Sequence, residues 1–249
     1  MKFSVLGGSG AWPSAGQACS GYIVEQNEYR VLIDPGYGVA MLLSGMVPAY
    51  AIDAVLVSHG HPDHCADLNP LLRARALDDV TRDPLPVHAL TGSLDKVLEL
   101  DRAGMLDSAY SLRSFEAGER ISVGPFAVKT RLLPHWLPNA GFRISAQGAS
   151  ITYTGDAGPS ADLVELARAT DLLVAEATYV DAVPGDSLGF LSSARDAGRQ
   201  ATDARASRLL LTHLWPGTDP LAAERSARSQ FSGSVAVARP GMTMTVGEP

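Results

Sequence analysis

The stretch Ala54-Val55-Leu56-Val57-Ser58-His59-Gly60-His61-Pro62-Asp63-His64 decides how this chain folds. Its first residues form a short apolar run closed by a turn signal, the mark of a buried strand. Its last six hold three histidines and an aspartate. A lone histidine at a strand end is usually an ordinary polar residue. Three histidines and an aspartate in six positions point instead to metal, because neutral imidazole and carboxylate both ligate zinc. His59 and His61, two apart on extended chain, can face one ion. Asp63 and His64 begin a tight turn into a helix and can face a second ion close by. Pro62 suits that turn, since it fixes φ and has no N–H to satisfy.

Similar runs recur outward from this segment. Arg30-Val31-Leu32-Ile33 ends at Asp34, and Ser150-Ile151-Thr152-Tyr153-Thr154 ends at Gly155-Asp156. Leu172-Leu173-Val174-Ala175 ends at Glu176, and Leu209-Leu210-Leu211-Thr212 ends at His213. His135 follows the run from Phe126 to Leu133. Each polar candidate stands at the C-terminal end of its strand, where α/β folds place their sites. A carboxylate is needed to hold two cations together, and Asp156 is the candidate. His135 and His213 complete a set of seven ligands with His59, His61, Asp63, His64 and Asp156. His88, in Leu85-Pro86-Val87-His88-Ala89, reads as a plain strand or turn residue.

Helical spacing of apolar residues alternates with these strands. It predicts helices over Asp67–Ala76, Thr91–Ala103, Ser160–Ala169, Ser192–Ala204 and Asp219–Phe231. Tyr22–Val24 and Arg120–Val123 read as further strands, and Val235–Ala238 with Met242–Val246 as a closing strand pair. No repeat or linker interrupts the pattern. The expectation is an α/β fold in one domain over residues 1–249: an αββα sandwich of two mixed sheets flanked by helices.

Composition narrows the function. The net charge is −7, with no basic block. That argues against broad nucleic-acid binding, which needs clustered Lys and Arg. A small anionic substrate remains compatible, because bound metals supply local positive charge. Met1-Lys2-Phe3-Ser4-Val5-Leu6 reads as a first strand rather than a signal peptide. No apolar stretch approaches the ~18 residues of a membrane span. The two cysteines, Cys19 and Cys65, form no CxxC pair, so a reducing cytoplasm is expected rather than a disulfide framework.

The hexapeptide from His59 to His64 matches the HxHxDH motif of the metallo-β-lactamase-fold hydrolases. Asp34, His135, Asp156 in Thr-Gly-Asp and His213 in Leu-Thr-His follow the order of that family's other motifs. From Phe3 to about Val246 the chain resembles the ribonuclease Z branch and its shorter phosphodiesterase relatives. The resemblance implies one zinc on His59, His61 and His135, and a second on Asp63, His64 and His213, with Asp156 bridging. Manganese or iron could occupy the same ligands. It implies hydrolysis by a hydroxide shared between the two ions, with Asp63 orienting the nucleophile. Asp34 is expected either to fix a ligand's orientation or to form the strand-end turn before Pro35-Gly36, and Asp67 either to fix a ligand or to cap its helix. The resemblance also suggests a homodimer.

Two departures matter. The family places a proton-donating histidine 22 residues before its last metal histidine, and here that position is Leu191, beside Phe190. Glu176 and Tyr179 are the substitute donors in reach of that role. The second departure is length: His135 and Asp156 lie 21 residues apart, with room for one hairpin and none for a tRNA-gripping arm. Trp12, Trp136 and Trp215 are candidate pocket walls. The expected activity is that of a dinuclear zinc phosphodiesterase of small substrates such as cyclic nucleotides. Hydrolysis of a lactone or thioester is the alternative, and tRNA 3′-processing comes third. The bridging aspartate argues against a β-lactamase, and the intact His61 against a redox diiron protein.

Overall fold

A computed structural model describes residues 1–80 and 82–247. Fifteen strands follow in chain order: β1 (Lys2–Ser9), β2 (Ala18–Cys19), β3 (Gly21–Gln26), β4 (Tyr29–Ile33), β5 (Ala54–Val57), β6 (Leu85–Leu90), β7 (Tyr110–Phe115), β8 (Arg120–Val123), β9 (Phe126–Leu133), β10 (Asn139–Ala146), β11 (Ala149–Tyr153), β12 (Leu172–Glu176), β13 (Arg208–Thr212), β14 (Ser234–Val237) and β15 (Thr243–Thr245). Among the described residues seven α-helices lie between them, α1 (Val39–Ser44), α2 (Pro62–Cys65), α3 (Leu68–Ala76), α4 (Asp95–Leu98), α5 (Ala161–Leu166), α6 (Ala194–Asp203) and α7 (Pro220–Arg228), with one short 3-10 turn at Ala49–Ala51.

The strands form two mixed sheets, ordered β15-β1-β3-β4-β5-β6-β7, with β2 beside β1, and β14-β13-β12-β11-β10-β9-β8. Each sheet begins as an antiparallel meander and ends in parallel strands. β4, β5, β6 and β7 are parallel neighbours in the first, and β11, β12, β13 and β14 in the second. The residue pattern follows from this. β5 and β12, covered on both faces, are buried along their length and apolar except for Glu176 at the end of β12. β9, in the antiparallel part, alternates between the interior and the surface.

Three apolar clusters mark the layers. Phe3, Tyr22, Ile33 and Leu56 of the first sheet meet Phe126, Phe142, Ile151 and Val174 of the second. Leu43, Leu68, Leu72 and Val97 cover the outer face of the first sheet, and Leu163, Ala197, Ala201 and Ala227 that of the second. This is the expected αββα order.

Helix starts are set by their caps. Ser193 and Asp196 form a reciprocal capping box at α6, Ser160 caps α5, and Asp219 caps α7 just before Pro220. Two expectations fail. The helix over Thr91–Ala103 shrinks to the single turn α4: Gly92 takes a left-handed φ of 76°, and of the apolar spacing Leu94 and Val97 are buried whereas Leu100 faces solvent. Val235–Ala238 and Met242–Val246 do not pair with each other. β14 joins β13 in one sheet and β15 joins β1 in the other. Gly241, at φ 83°, turns the chain between them, a conformation that favours glycine.

Candidate metal centre

Every residue of the expected set lies at one end of the sandwich, just past the C-terminal end of its strand. Asp34 follows β4, His59 follows β5, His135 follows β9, Asp156 follows β11 and His213 follows β13. His61 precedes Pro62, the first residue of α2, which carries Asp63 and His64 in its single turn.

The side chains converge as two groups. His59, His61, His135 and Asp156 form one, and Asp63, His64, Asp156 and His213 the other, with the donor atoms of each within 4.8 Å of one another. In the first, His61 Nδ1 stands 3.0 Å from both His59 Nε2 and His135 Nε2. Asp156 Oδ2 lies 3.9 Å from His59 Nε2 and 3.8 Å from His135 Nε2. In the second, Asp156 Oδ1 lies 3.1 Å from His64 Nε2 and 3.3 Å from His213 Nε2. Asp63 Oδ2 closes that group, 3.6 Å from His64 Nε2 and 3.2 Å from His213 Nε2. The carboxylate of Asp156 therefore points one oxygen at each group.

These separations fit a shared central ion. Zinc–ligand bonds of 2.0–2.1 Å in a tetrahedron place neighbouring donors roughly 3.3 Å apart. His64 Nε2 and Asp156 Oδ1, though close, are buried and make no hydrogen bond, to each other or to anything else. Two buried polar atoms that face one another without a well-formed hydrogen bond are what a shared ligand would satisfy.

The rings are held from behind. His64 Nδ1 meets Asp34 Oδ2 at 2.8 Å. The same carboxylate accepts the Ser58 amide and hydroxyl, at 2.7 and 2.6 Å, and the Tyr153 hydroxyl at 2.7 Å. His59 Nδ1 lies 3.0 Å from Ser58 Oγ, His135 Nδ1 donates toward the Phe190 carbonyl at 3.1 Å, and His213 Nδ1 lies 2.9 Å from Thr178 Oγ1. Such contacts choose the tautomer that leaves the inward nitrogen free. The Ala11 amide donates to Asp63 Oδ2 at 2.9 Å.

The backbone is strained where it serves the site. Asp34 at φ 48° and His213 at φ 57° are left-handed without being glycine, a conformation costing on the order of 1 kcal/mol. Gly155, at φ 58°, is closely confined: a Cβ there would stand 2.2 Å from Asn139 Oδ1 and force that side chain to move. Asn139 itself clamps the turn, its Nδ2 donating to the Thr154 and Asp156 carbonyls at 3.0 and 2.6 Å.

Electrostatics separate the two groups. Burial draws the His59, His61 and His135 imidazoles below their ordinary value, most strongly at His59, where His64 adds to it. Burial acts the same way on His64 and His213, but the carboxylates outweigh it. Asp156 and Asp63 hold His64 well above its ordinary value, and Asp156 with the Asp63 hydrogen bond raises His213. Asp156 is buried too, yet His213 and His64 keep its carboxyl well below the usual range. The groups also differ in access. His61 and His135 are partly exposed, whereas all four residues of the second group are buried.

The remaining candidates fall elsewhere. Glu176 is 2% exposed and does not reach the opening. Its carboxylate accepts the amides of Ala157, Thr178 and Ser192 and the Thr178 hydroxyl. Burial, and next Asp156, push it up to about 8. The Thr178 hydroxyl and amide pull the other way without cancelling that rise. Glu176 thus supports Thr178, which in turn holds His213. Tyr179 stacks on Trp215 and faces Ser187 at 3.5 Å. Leu191 is buried, and Phe190 lies stacked on Trp136 with ring centroids 5.4 Å apart. Asp67 stands at the N-cap position of α3 without capping it, and accepts the Ala40 amide at the start of α1 instead. His88 lies in β6, paired with Leu56 and Arg113 of the flanking strands, outside both ligand groups. Trp12 packs edge-on against Trp215, so half-exposed aromatic pairs stand beside Asp63 and His213 on one side and His135 on the other.

Ser58, Tyr153, Thr178 and Asn139 were missed by sequence reasoning. Ser58 and Thr178 adjoin motif residues and were within reach. Nothing in the local pattern marks Tyr153 or Asn139.

Residues 29–214 match the family described as beta-lactamase superfamily domain. The chain is 30% identical to a probable metallo-hydrolase, YhfI, of Bacillus subtilis, over 97% of this chain and 98% of that protein. The crystal structure of that metallo-β-lactamase fold protein superposes with a TM-score of 0.90, covering 99% of each chain. A ribonuclease Z of Mycobacterium bovis is 27% identical over 95% of both chains. The crystal structure of a diphosphatase from the PhnP family shares the fold, at a TM-score of 0.74 and 20% identity over 98% of this chain and 97% of that one. With its ligand groups in place at the mouth of the sandwich, this chain belongs to the beta-lactamase superfamily and is a metallo-hydrolase of the metallo-β-lactamase fold.

Proposed function

We propose that this protein is a dinuclear zinc phosphodiesterase of small phosphodiesters such as cyclic nucleotides. The observation that carries the reading is the split of Asp156, with Oδ1 toward one ligand group and Oδ2 toward the other. Two divalent cations held there would supply hydroxide near neutral pH and neutralise charge on an attacked phosphoryl group. Asp63 engages its neighbours through Oδ2, which leaves Oδ1 to orient the attacking water. The partly exposed His61 and His135 mark the side from which substrate enters.

Size supports a small substrate. The segment between His135 and Asp156 is the β10–β11 hairpin, closed by Gln147-Gly148 with both residues at positive φ. No arm extends from it to hold a long RNA. Trp136 and Phe190, both half exposed beside His135, offer a planar wall on which a nucleobase can stack.

One observation favours a second reading. Leu191 and Phe190 cannot donate a proton to a leaving group, so departure must rely on water or on a group stable as an anion. A thioester, whose thiolate leaves without an acid, meets that condition. Zinc-loaded protein assayed against bis-p-nitrophenyl phosphate, 3′,5′-cyclic AMP, a lactone and a thioester separates the two. Turnover of the phosphodiesters is expected. Turnover of the carbonyl compounds alone would overturn the phosphodiesterase reading.

A further inference from the structure

The outer face of the second sheet carries a row of three cations that, among the described residues, form no ion pair. Arg120 of β8 is the direct cross-strand neighbour of Lys129 of β9, and Lys129 is that of Arg143 of β10. Like charges directly opposite one another destabilise a sheet. Among the described residues, neither Arg120 nor Lys129 enters an ion pair, whereas Arg131 and Arg168 nearby have Asp162 and Glu165. Arg143 is held in place by the carbonyls of Leu166 and Arg168, where α5 ends, and keeps its charge.

The row lines a cleft. Arg120, Lys129, Arg143 and Arg168, with Glu165 as the single carboxylate, surround a volume of about 440 Å³, the size of a small-molecule site. Two residues along the strands, Ser122 and Ser145 both face Ala127 across the pairs and add hydroxyl donors on the same side. This concentration of positive charge occurs in a chain of net charge −7. It lies away from the candidate metal centre. Lys129 is four residues short of Leu133, the end of β9, about 13 Å of strand before the loop that carries His135.

We propose that this cleft binds a compact soluble anion carrying two or more phosphate groups, at a site separate from the metal centre. The ligand would neutralise the Arg120–Lys129–Arg143 row, none of whose members has an ion-pair partner among the described residues and toward which the fold sets only Glu165 and Asp171 at longer range. Closely spaced phosphates suit cations on adjacent strands about 4.8 Å apart. A polynucleotide fits less well, because the basic cleft is short and the rest of the chain is acidic.

Inorganic triphosphate titrated calorimetrically into metal-free protein tests this. The Asp156→Asn variant should bind it as the unaltered protein does. The Arg120→Ser/Lys129→Ser double variant should bind at least tenfold more weakly, yet hydrolyse bis-p-nitrophenyl phosphate at the original rate when zinc-loaded. Equal affinity in the double variant, or binding lost only in Asp156→Asn, would overturn the proposal. So would tighter binding of a twelve-residue oligodeoxynucleotide than of triphosphate. Because the cleft is read independently of turnover, failure here leaves the proposed hydrolysis untouched, and failure of hydrolysis leaves the titration interpretable.

Discussion

The two ligand groups share Asp156, and Ser58 stands behind both, but they differ in access and in the carboxylates that support them. The first draws on three imidazoles lowered by burial, two of them open to solvent. The second is closed, has Asp63 as an added carboxylate, and rests on Asp34, itself tied by Ser58 and Tyr153. A hydrolase needs both characters: one ion held rigidly and one facing the substrate. The difference teaches that the division of labour lies in the shell around the ligands, since the donor types are nearly the same.

The comparison is broken most completely at its shared member. Asp156→Ala should lose both ions and reduce phosphodiester turnover by on the order of 10³ or more, the equivalent of about 4 kcal/mol of lost charge stabilisation. Metal analysis alongside the rate checks it, and a variant that keeps two ions contradicts the bridging role. His61→Ala, on the open side, should lose one ion and keep the other, with turnover down by roughly 10². Full activity and full metal content in that variant would remove the first group from the mechanism.

Asp34→Asn sharpens the other side. It weakens the acceptor for His64 without touching a metal, so affinity of the second group alone should fall roughly 10–100-fold. A competition titration with a chromophoric chelator reads the two affinities separately, and equal loss at both groups would contradict the assignment.

Acidity should divide the groups as well. Imidazole binds metal only when neutral. His64 and His213 are held above the ordinary histidine value, so protons compete for them at higher pH, whereas His59, His61 and His135 are lowered and stay neutral there. As pH falls toward the ordinary histidine range, the affinity of the second group should drop first. Equilibrium dialysis across pH 5–8 measures this, and a first group that weakens earlier reverses the account. The smallest effect is expected at Glu176→Gln. Losing part of the acceptor for the Ser192 and Thr178 amides should cost about 1–3 kcal/mol of stability and leave the shape of the pH–rate profile unchanged. Loss of a limb of that profile would restore Glu176 as a proton donor.

Much of the site was legible because it is local. Three candidate ligand histidines and Asp63 lie within one strand end and one turn, so spacing alone marks them. Asp156 and His213 were legible by position, each closing an apolar run. What spacing could not show is where distant chain returns. Glu176 carries an attractive carboxylate in sequence, but only the fold shows the Ser192 and Ala157 amides that immobilise it. Asn139 clamps the Thr154-Gly155-Asp156 turn from a strand edge with no motif of its own. The same limit explains the errors of fold. The apolar spacing of Thr91–Ala103 is helical, but the surface meant to receive Leu100 is solvent, and β14 and β15 are neighbours in sequence that serve opposite sheets.

The central claim is that two ions share the Asp156 carboxylate. An anomalous-difference map collected at the zinc edge from zinc-equilibrated crystals tests it most directly. Two peaks are predicted, one on either side of Asp156 and roughly 3.5–4 Å apart, the first among His59, His61 and His135 and the second among Asp63, His64 and His213. A single peak, or a pair that does not flank Asp156, would contradict the account.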